Sequence, residues 1–334
     1  MLLQHKHTGE AVDFTLRPFQ ENDTSQLIAC IHDAYGDSYV KSKLYDPDTV
    51  VQLNKSKEMV FSVALTPEGV VAGITACESS PHFPKQGEIS CQIIRQKYNG
   101  YGLALPLALH AMEQGEQLPL SSQFARALGC HLISQKTLKG MGFTATGFLL
   151  HVYDKDKFHF RFPNGDYEKI PQSVAVKRQE KTDAGEIFLP ADLVPLADNM
   201  YRDLSVTYFP RQTSLPSETC GLWDSSNDRL HATLTLWARS CGTDFESHLS
   251  EELRRVAHIP NQTVNLYLNL SSPGCDLAYQ TARNLGFFFT GFFPCGADGE
   301  YMLLHHPLQV PVHVDNIPHI PEYAPFMEQI RRQL

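Results

Sequence analysis

The chain has 334 residues, 42% of them hydrophobic and 19% charged, with a net charge of -9 and a sequence pI near 5.9. That length suits two domains, and the composition excludes a disordered chain. The acidic balance disfavours a nucleic-acid or anionic-membrane surface, and no stretch is long and apolar enough to span a bilayer.

The opening residues, MLLQHKHTGE, lack the apolar core of a secretory signal, so a cytoplasmic protein is expected, with neither nucleic-acid nor membrane partners. Eight cysteines sit far apart without a C-x-x-C pair. A zinc site, a disulfide framework and any other metal centre are therefore not expected.

In chain order, Phe14–Phe19 alternates like a strand, and Asn22-Asp23-Thr24 offers cap chemistry for a helix carrying Leu27, Ile28, Ile31 and Tyr35 that ends at Gly36. Two strands, MVFSVAL and VVAGITAC, joined by Thr66-Pro67-Glu68-Gly69, read as a hairpin. The most informative stretch follows, from Gly87 to Met112. An apolar run with Ile89, Cys91, Ile93 and Ile94 reads as a strand, Gly100 and Gly102 form a corner, and Leu103–Met112 is of helical length. Strand alternation puts Glu88, Ser90 and Gln92 on one face, opposite Ile89, Cys91 and Ile93.

Glycines at such a corner let the backbone approach a ligand, and the new helix points unpaired N–H groups and its positive end at the loop. This is an anion cradle, suited to phosphate. A dinucleotide fingerprint would need a third glycine where Leu105 stands, and a Walker loop needs a Gly-Lys-Ser/Thr ending that the stretch lacks. A tight turn without a ligand also fits the local pattern.

Downstream, a helix is expected from about His131 to Gly140, and Gly142–Phe148 leads into the strand FLLHVY. Residues 154–166 are charged and turn-rich and read as the exit from a first domain; 172–181 alternates as a strand, and Pro190-Ala191-Asp192 opens a helix through Tyr201. Gly286–Phe292 then matches Gly142–Phe148 at five of seven positions, an offset of 286 − 142 = 144 residues. A shared period points to duplication. The same offset sets Asp244 opposite Gly100 and Glu246 opposite Gly102, where carboxylates would repel a pyrophosphate. Phe326, Ile330 and Leu334 give the tail a short amphipathic helix.

Lys97-Tyr98-Asn99-Gly100-Tyr101-Gly102 resembles the Q/R-x-x-G-x-G/A pyrophosphate loop of the GNAT superfamily of acyltransferases, with Lys97 where Gln or Arg is usual. His131, Ser134 and Gly142-Phe143 are similar to that family's N-x-x-A/S…G-F signature, and the order of elements from Phe14 to Tyr153 is also that of the family. The resemblance implies an α/β (α+β) fold of two tandem GNAT-like domains, each a mixed, mostly antiparallel twisted sheet flanked by helices. The acyl-CoA-binding copy would span 1–160, a degenerate copy 161–310 and a tail with a short helix 311–334.

The resemblance further implies an acyl-CoA-dependent N-acyltransferase, with acetyl-CoA as co-substrate, a small amine as acceptor and no metal; a homodimer is left open. Gln92, Ile93 and Ile94 would hold the pantetheine, and the amides from Tyr98 through Asn99, Gly100, Tyr101 and Gly102 to Leu103 the pyrophosphate, with Lys97 adding charge. His131 and Ser134 would flank the thiol end. Glu88 would be the base. The tyrosine that often serves as the acid is Leu138 here and Ala282 in the second copy, so either the thiolate leaves without a protein acid, or Tyr98, Tyr101 or a substrate-side tyrosine substitutes. Tyr35, Tyr39 and Tyr45 would line the acceptor pocket. The missing acid also motivates a second expectation, a non-catalytic acyl-CoA sensor or interaction module.

Overall fold

The computed structural model describes residues 1–157, 167–180, 183–211 and 215–334. These fall into two compact units, one of Met1–Arg126 with Lys136–Phe143, the other of Ala127–Gln135, Thr144–Lys157 and the described residues from 167 onward. The boundary expected at 160/161, and most of the exit segment 154–166, lie outside the described residues. Among the described residues no helix is long and apolar enough to cross a membrane.

The first unit opens with a small hairpin, β1 (Leu2–Gln4) and β2 (Ala11–Asp13). Its sheet is ordered β3 (Thr15–Pro18), β4 (Met59–Leu65), β5 (Val71–Ser79), β6 (Gln86–Ile94) and β7 (Ser122–Leu128). All neighbours are antiparallel except the final pair, which is parallel. α1 (Thr24–Tyr35) and α2 (Pro47–Lys55) pack Leu27, Ile31 and Val50 against Phe61, Val63, Ile74 and Ile93 on one face. α3 (Ala104–Glu116) covers the other, where Leu103 and Leu107 meet Phe14, Ala64 and Ala72.

Local chemistry sets the helix ends. Gly36, at φ +56°, stops α1, and the Asp46 carboxylate caps α2 by accepting from the Thr49 amide at 2.9 Å, with Pro47 in the first helical position. Asp23 departs from the expected cap role. Its carboxylate accepts from both ends of the Arg17 guanidinium, at 2.7 and 2.8 Å, and from the Gln20 amide, so it fastens the chain before α1 instead of the helix itself.

α4 (Ile133–Gly140) follows, and the second unit is built on β8 (Thr144–Asp154), β9 (Lys169–Arg178), β10 (Glu186–Phe188), α5 (Val194–Asp203), β11 (Phe209–Arg211), β12 (Trp223–Asp228), β13 (Thr233–Ala238), α6 (Phe245–Val256), β14 (Thr263–Asn269), α7 (Cys275–Asn284), β15 (Phe288–Pro294), β16 (Glu300–His306) and α8 (Ala324–Arg331). Its sheet runs β12-β13-β14-β16-β15-β8-β9, with β13 and β14 the parallel pair, while β10 and β11 pair separately. Each unit thus carries a mixed, mostly antiparallel sheet with helices packed on it. Phe326 and Ile330 of α8 are buried in the second unit's core, whereas Leu334 lies past the helix end and is exposed.

The 144-residue period returns in atomic detail. Phe143 donates its amide to the Leu138 carbonyl at 3.0 Å, and Phe287 donates to Ala282 at 3.0 Å. Gly142 and Gly286 both turn with positive φ, +79° and +95°. β8 shifts register between Ala145 and Gly147, and β15 shifts between Phe289 and Gly291, so Thr146 and Thr290 occupy equivalent bulges. Within the second unit Gly147 and Gly291 are register partners. A Cβ on Gly291 would stand 2.5 Å from the Cα of Gly147.

That contact is backbone against backbone and cannot yield as a side chain could. Gly291→Ala should lower the urea midpoint, by about 1–3 kcal/mol of stability, the usual range for overpacking; an unchanged midpoint would contradict the packing described. A second expectation concerns pH. Burial, with Lys169 nearby, pushes the His151 imidazole down to about 3, and burial beside His151 pushes His305 well below its ordinary value. The two rings hydrogen-bond at 3.0 Å. Both are neutral when folded but charge in the unfolded chain below about pH 6.5, so their contribution is complete above that pH and is lost as pH falls toward 3. The stability gap between wild type and His305→Asn should therefore narrow from pH 7 to pH 4, as read by urea denaturation.

Candidate functional site

The alternation of β6 breaks in the middle of the strand. Ala76 pairs with Ser90 and Ile74 with Ile93, so Cys91 and Gln92 together face the single residue Thr75. This is a β-bulge, and Cys91 is held at φ +54°, a strained conformation for a residue with a side chain. The bulge reverses the phase of the strand. Ser90 and Cys91 are successive residues that both reach toward the α1–α2 side, while Gln92 reaches the α3 side, its Nε2 donating to the Ala104 carbonyl at 2.9 Å. Glu88, Ser90 and Gln92 therefore do not share a face as strict alternation predicts.

At the same place β6 leaves its parallel neighbour. Pairing with β7 covers Gln86–Glu88 against Ser122–Phe124 and ends there. Among the described residues no strand pairs with that edge of β6 from Ile89 to Ile93.

The loop after β6 is pinned at its start. Arg95 donates from its amide to the Ala72 carbonyl at 2.9 Å and from its guanidinium to the Gln26 carbonyl at 3.0 Å, and the Gln96 amide donates to Asp33 at 2.7 Å. Lys97 and Asn99 are exposed, the Lys97 ammonium lying 5.5 Å from the centre of the Tyr98 ring. Gly100 and Gly102 turn at φ +89° and +76°. A Cβ on Gly100 would stand 2.6 Å from the His5 imidazole, whereas one on Gly102 would meet nothing within 4 Å. Tyr98 and Tyr101 are buried, their rings edge-on to Phe14 at 5.9 and 5.7 Å. They hold the loop to the core.

α3 begins without a side-chain cap. Among the described residues none accepts a hydrogen bond from the amides of Tyr101, Gly102 or Leu103. The first turn of a helix leaves such donors for a partner from outside it.

The α1–α2 side of the bulge carries a charged cluster. Glu88 accepts from Arg126 Nε at 3.0 Å and Nη2 at 2.8 Å. Burial pushes its carboxyl up, but Arg126 and then Lys41 outweigh this and hold it below the usual carboxylate value. Glu78, the register partner of Glu88, pairs with Lys41, lies 3.8 Å from Lys43 and accepts from Ser90 at 3.3 Å. Two carboxylates opposite one another would repel, and each is neutralised by its own cation. The Tyr39 hydroxyl lies 3.3 Å from Cys91 Sγ, its ring 4.8 Å from Tyr35, and its amide donates to the Tyr45 hydroxyl at 3.1 Å. The three tyrosines proposed for an acceptor pocket thus gather beside the bulge.

His131 and Ser134 belong to the second unit; His131 Nδ1 accepts from the Ile133 amide at 3.2 Å. Leu138 is buried. Arg126, Lys41, Glu78 and the bulge at Cys91 were not anticipated from the sequence. Arg126, a lone cation in the apolar run of β7, was the one visible signal.

The corresponding corner of the second unit is closed. β13 and β14 stay paired over six positions, Thr233↔Thr263 to Ala238↔Leu268, and β13 shows no register shift against β12. Nine residues (95–103) join β6 to α3, but six (239–244) join β13 to α6. At the helix starts the offset is therefore 245 − 104 = 141, and Asp244 aligns with Leu103, not with Gly100 as the longer period had it. The amides of Thr243 and Asp244 donate to the carbonyls of Glu218 and Thr219 at 3.1 and 3.2 Å, and the Asp244 carboxylate accepts from the Gly221 amide at 2.8 Å. The chain itself fills this cradle.

No family model matches the sequence, and no curated protein matches it. Solved structures similar to about half of the chain include a GNAT superfamily phosphinothricin acetyltransferase from Sinorhizobium meliloti in complex with AcCoA, at 16% identity, covering 49% of this chain and 88% of that one, TM-score 0.40. Two others are a ribosomal-protein-S5-alanine acetyltransferase from Vibrio fischeri (13%, 54% and 97%, 0.40) and an N-acetyltransferase from Staphylococcus aureus Mu50 (14%, 50% and 99%, 0.40).

The two glycines should respond differently to alanine. Gly102→Ala meets open space and pays only for the left-handed backbone, about 1–2 kcal/mol. Gly100→Ala adds a collision with His5 and should cost more. Equal urea midpoints for the two variants would contradict the geometry.

Proposed function

We propose that the first unit is an acyl-CoA-dependent N-acyltransferase, using acetyl-CoA as co-substrate and a small amine as acceptor, and that CoA is held by this unit alone. The observation that carries the proposal is the set of amides without acceptors at Tyr101, Gly102 and Leu103, set beside a bulged strand with an unpaired edge. Amides at a helix N-terminus suit a pyrophosphate, and the edge of β6 at Gln92 and Ile93, which no strand covers among the described residues, suits the amide-bearing pantetheine as an added strand, with Ile94 next along it. Lys97 adds positive charge at the loop, and Asn99 and Gly100 lend backbone to it.

In this reading the amine nitrogen attacks the thioester carbonyl carbon; the C–N bond forms, the C–S bond breaks, and CoA departs as a thiolate with the electron pair. One proton leaves the nitrogen. Glu88, ionised beside Arg126 and Lys41, takes it directly or through water, the two cations making it the weaker base. A thiolate is a tolerable leaving group near neutral pH, which lets the reaction proceed with Leu138 in place of an acid. The second reading, a CoA binder that does not turn over, draws on Leu138 and on Tyr98 and Tyr101 being committed to the core.

Calorimetry should detect one acetyl-CoA site per chain, and Gly102→Glu should weaken it at least tenfold, about 1.4 kcal/mol or more, without unfolding. No binding to the wild type would overturn the proposal. Glu88→Gln should lower turnover while sparing CoA affinity; an unchanged rate would remove Glu88 from the mechanism. Binding without thiol release across a broad amine panel would favour the second reading.

A further inference from the structure

The charged cluster beside the bulge bears on which amine is accepted, given the reading of the first unit as an acyltransferase. Five charged side chains meet there: Lys41, Lys43 and Arg126 against Glu78 and Glu88. Among the described residues that is three cations against two carboxylates. Exposure adds a direction: the carboxylates Glu78 and Glu88 are 18% and 12% exposed, whereas Arg126 and Lys43 are 32% and 47% exposed. A ligand arriving from solvent meets the cations first. Asp37, the carboxylate on the neighbouring loop, is 95% exposed and faces His32 at 3.3 Å, where solvent screens it.

The carboxylates are also occupied. Glu88 is bound in both oxygens by one guanidinium, and Glu78 has Lys41 and Ser90 as partners. A polyamine would bring several positive charges past Lys43 and Arg126 with no anionic group of its own to meet them, whereas an amine that carries a carboxylate has one. Lys43 is differently placed. At 3.8 Å from Glu78 it is too far for a hydrogen bond, and it sits on an exposed turn from which its ammonium can reach an incoming anion.

We propose that the acceptor is a small amine carrying its own carboxylate, of the amino-acid class, whose carboxylate is drawn by Lys43 and Arg126 while its amino group lies toward the Glu78–Glu88 pair. Lys43 is then a specificity-determining residue. Tyr35, Tyr39 and Tyr45 supply an apolar wall beside the bulge for the rest of the molecule.

The test uses the full chain with acetyl-CoA and measures thiol release with α-amino acids, with the same compounds as carboxamides, and with spermidine. The best amino acid should exceed its carboxamide and spermidine at least tenfold in kcat/KM. Lys43→Glu should cut that preference at least tenfold, and Lys43→Arg should retain it. Equal or faster turnover of carboxamides or spermidine overturns the inference while leaving the acyltransferase reading intact, and so does acetyl-CoA binding with no turnover of any amino acid. Failure of acetyl-CoA to bind the wild type overturns both.

Discussion

Backbone hydrogen bonding divides the two copies of the corner. Every buried or half-buried N–H needs an acceptor, and a helix start always presents several that the helix cannot satisfy. At α6 the segment 218–221 supplies carbonyls to Thr243 and Asp244. At α3 the equivalent amides are left over, because the loop is three residues longer and turns through Gly100 and Gly102 before the helix begins. Among the described residues, one motif is completed internally and the other is not.

The strand behind the loop follows the same logic. A bulge at Cys91 and Gln92 and the end of pairing at Glu88↔Phe124 expose an edge in β6, whereas β13 stays zipped to β14 across its length. Cys91 bears a positive φ without being glycine, a strain of roughly 1–3 kcal/mol that the surrounding packing has to sustain. The bulge also swings Cys91 to the side where Tyr39, Ser90 and Lys41 lie. The uncovered edge that leads to the α3 corner and the charged cluster thereby stand on adjoining parts of one strand.

Much of this was legible in the residues. The glycine pair announced the corner, the match of Gly142–Phe148 with Gly286–Phe292 announced the two like turns, the hairpin residues announced β4 and β5, and alternation announced β3 and β9. Four features were not legible, for physical reasons. The Cys91 bulge has no glycine to mark it, and it invalidated the face assigned to Gln92. β12, WDSSND, is an exposed strand without apolar alternation, so nothing distinguished it from a loop. The loop shortening before α6 is invisible to a single fixed offset, which is why Asp244 was matched three residues too early in the first copy. The pairing of Glu88 with Arg126 and of Glu78 with Lys41 depends on strand neighbours that no local pattern encodes.

The central claim is that the amides before α3 receive the co-substrate and those before α6 do not. Backbone amide resonances followed during titration of the full chain with CoA address it residue by residue. The account predicts large shifts at Tyr101, Gly102 and Leu103 and none at Thr243 or Asp244. Shifts at Thr243 and Asp244, or none at either corner, would contradict it.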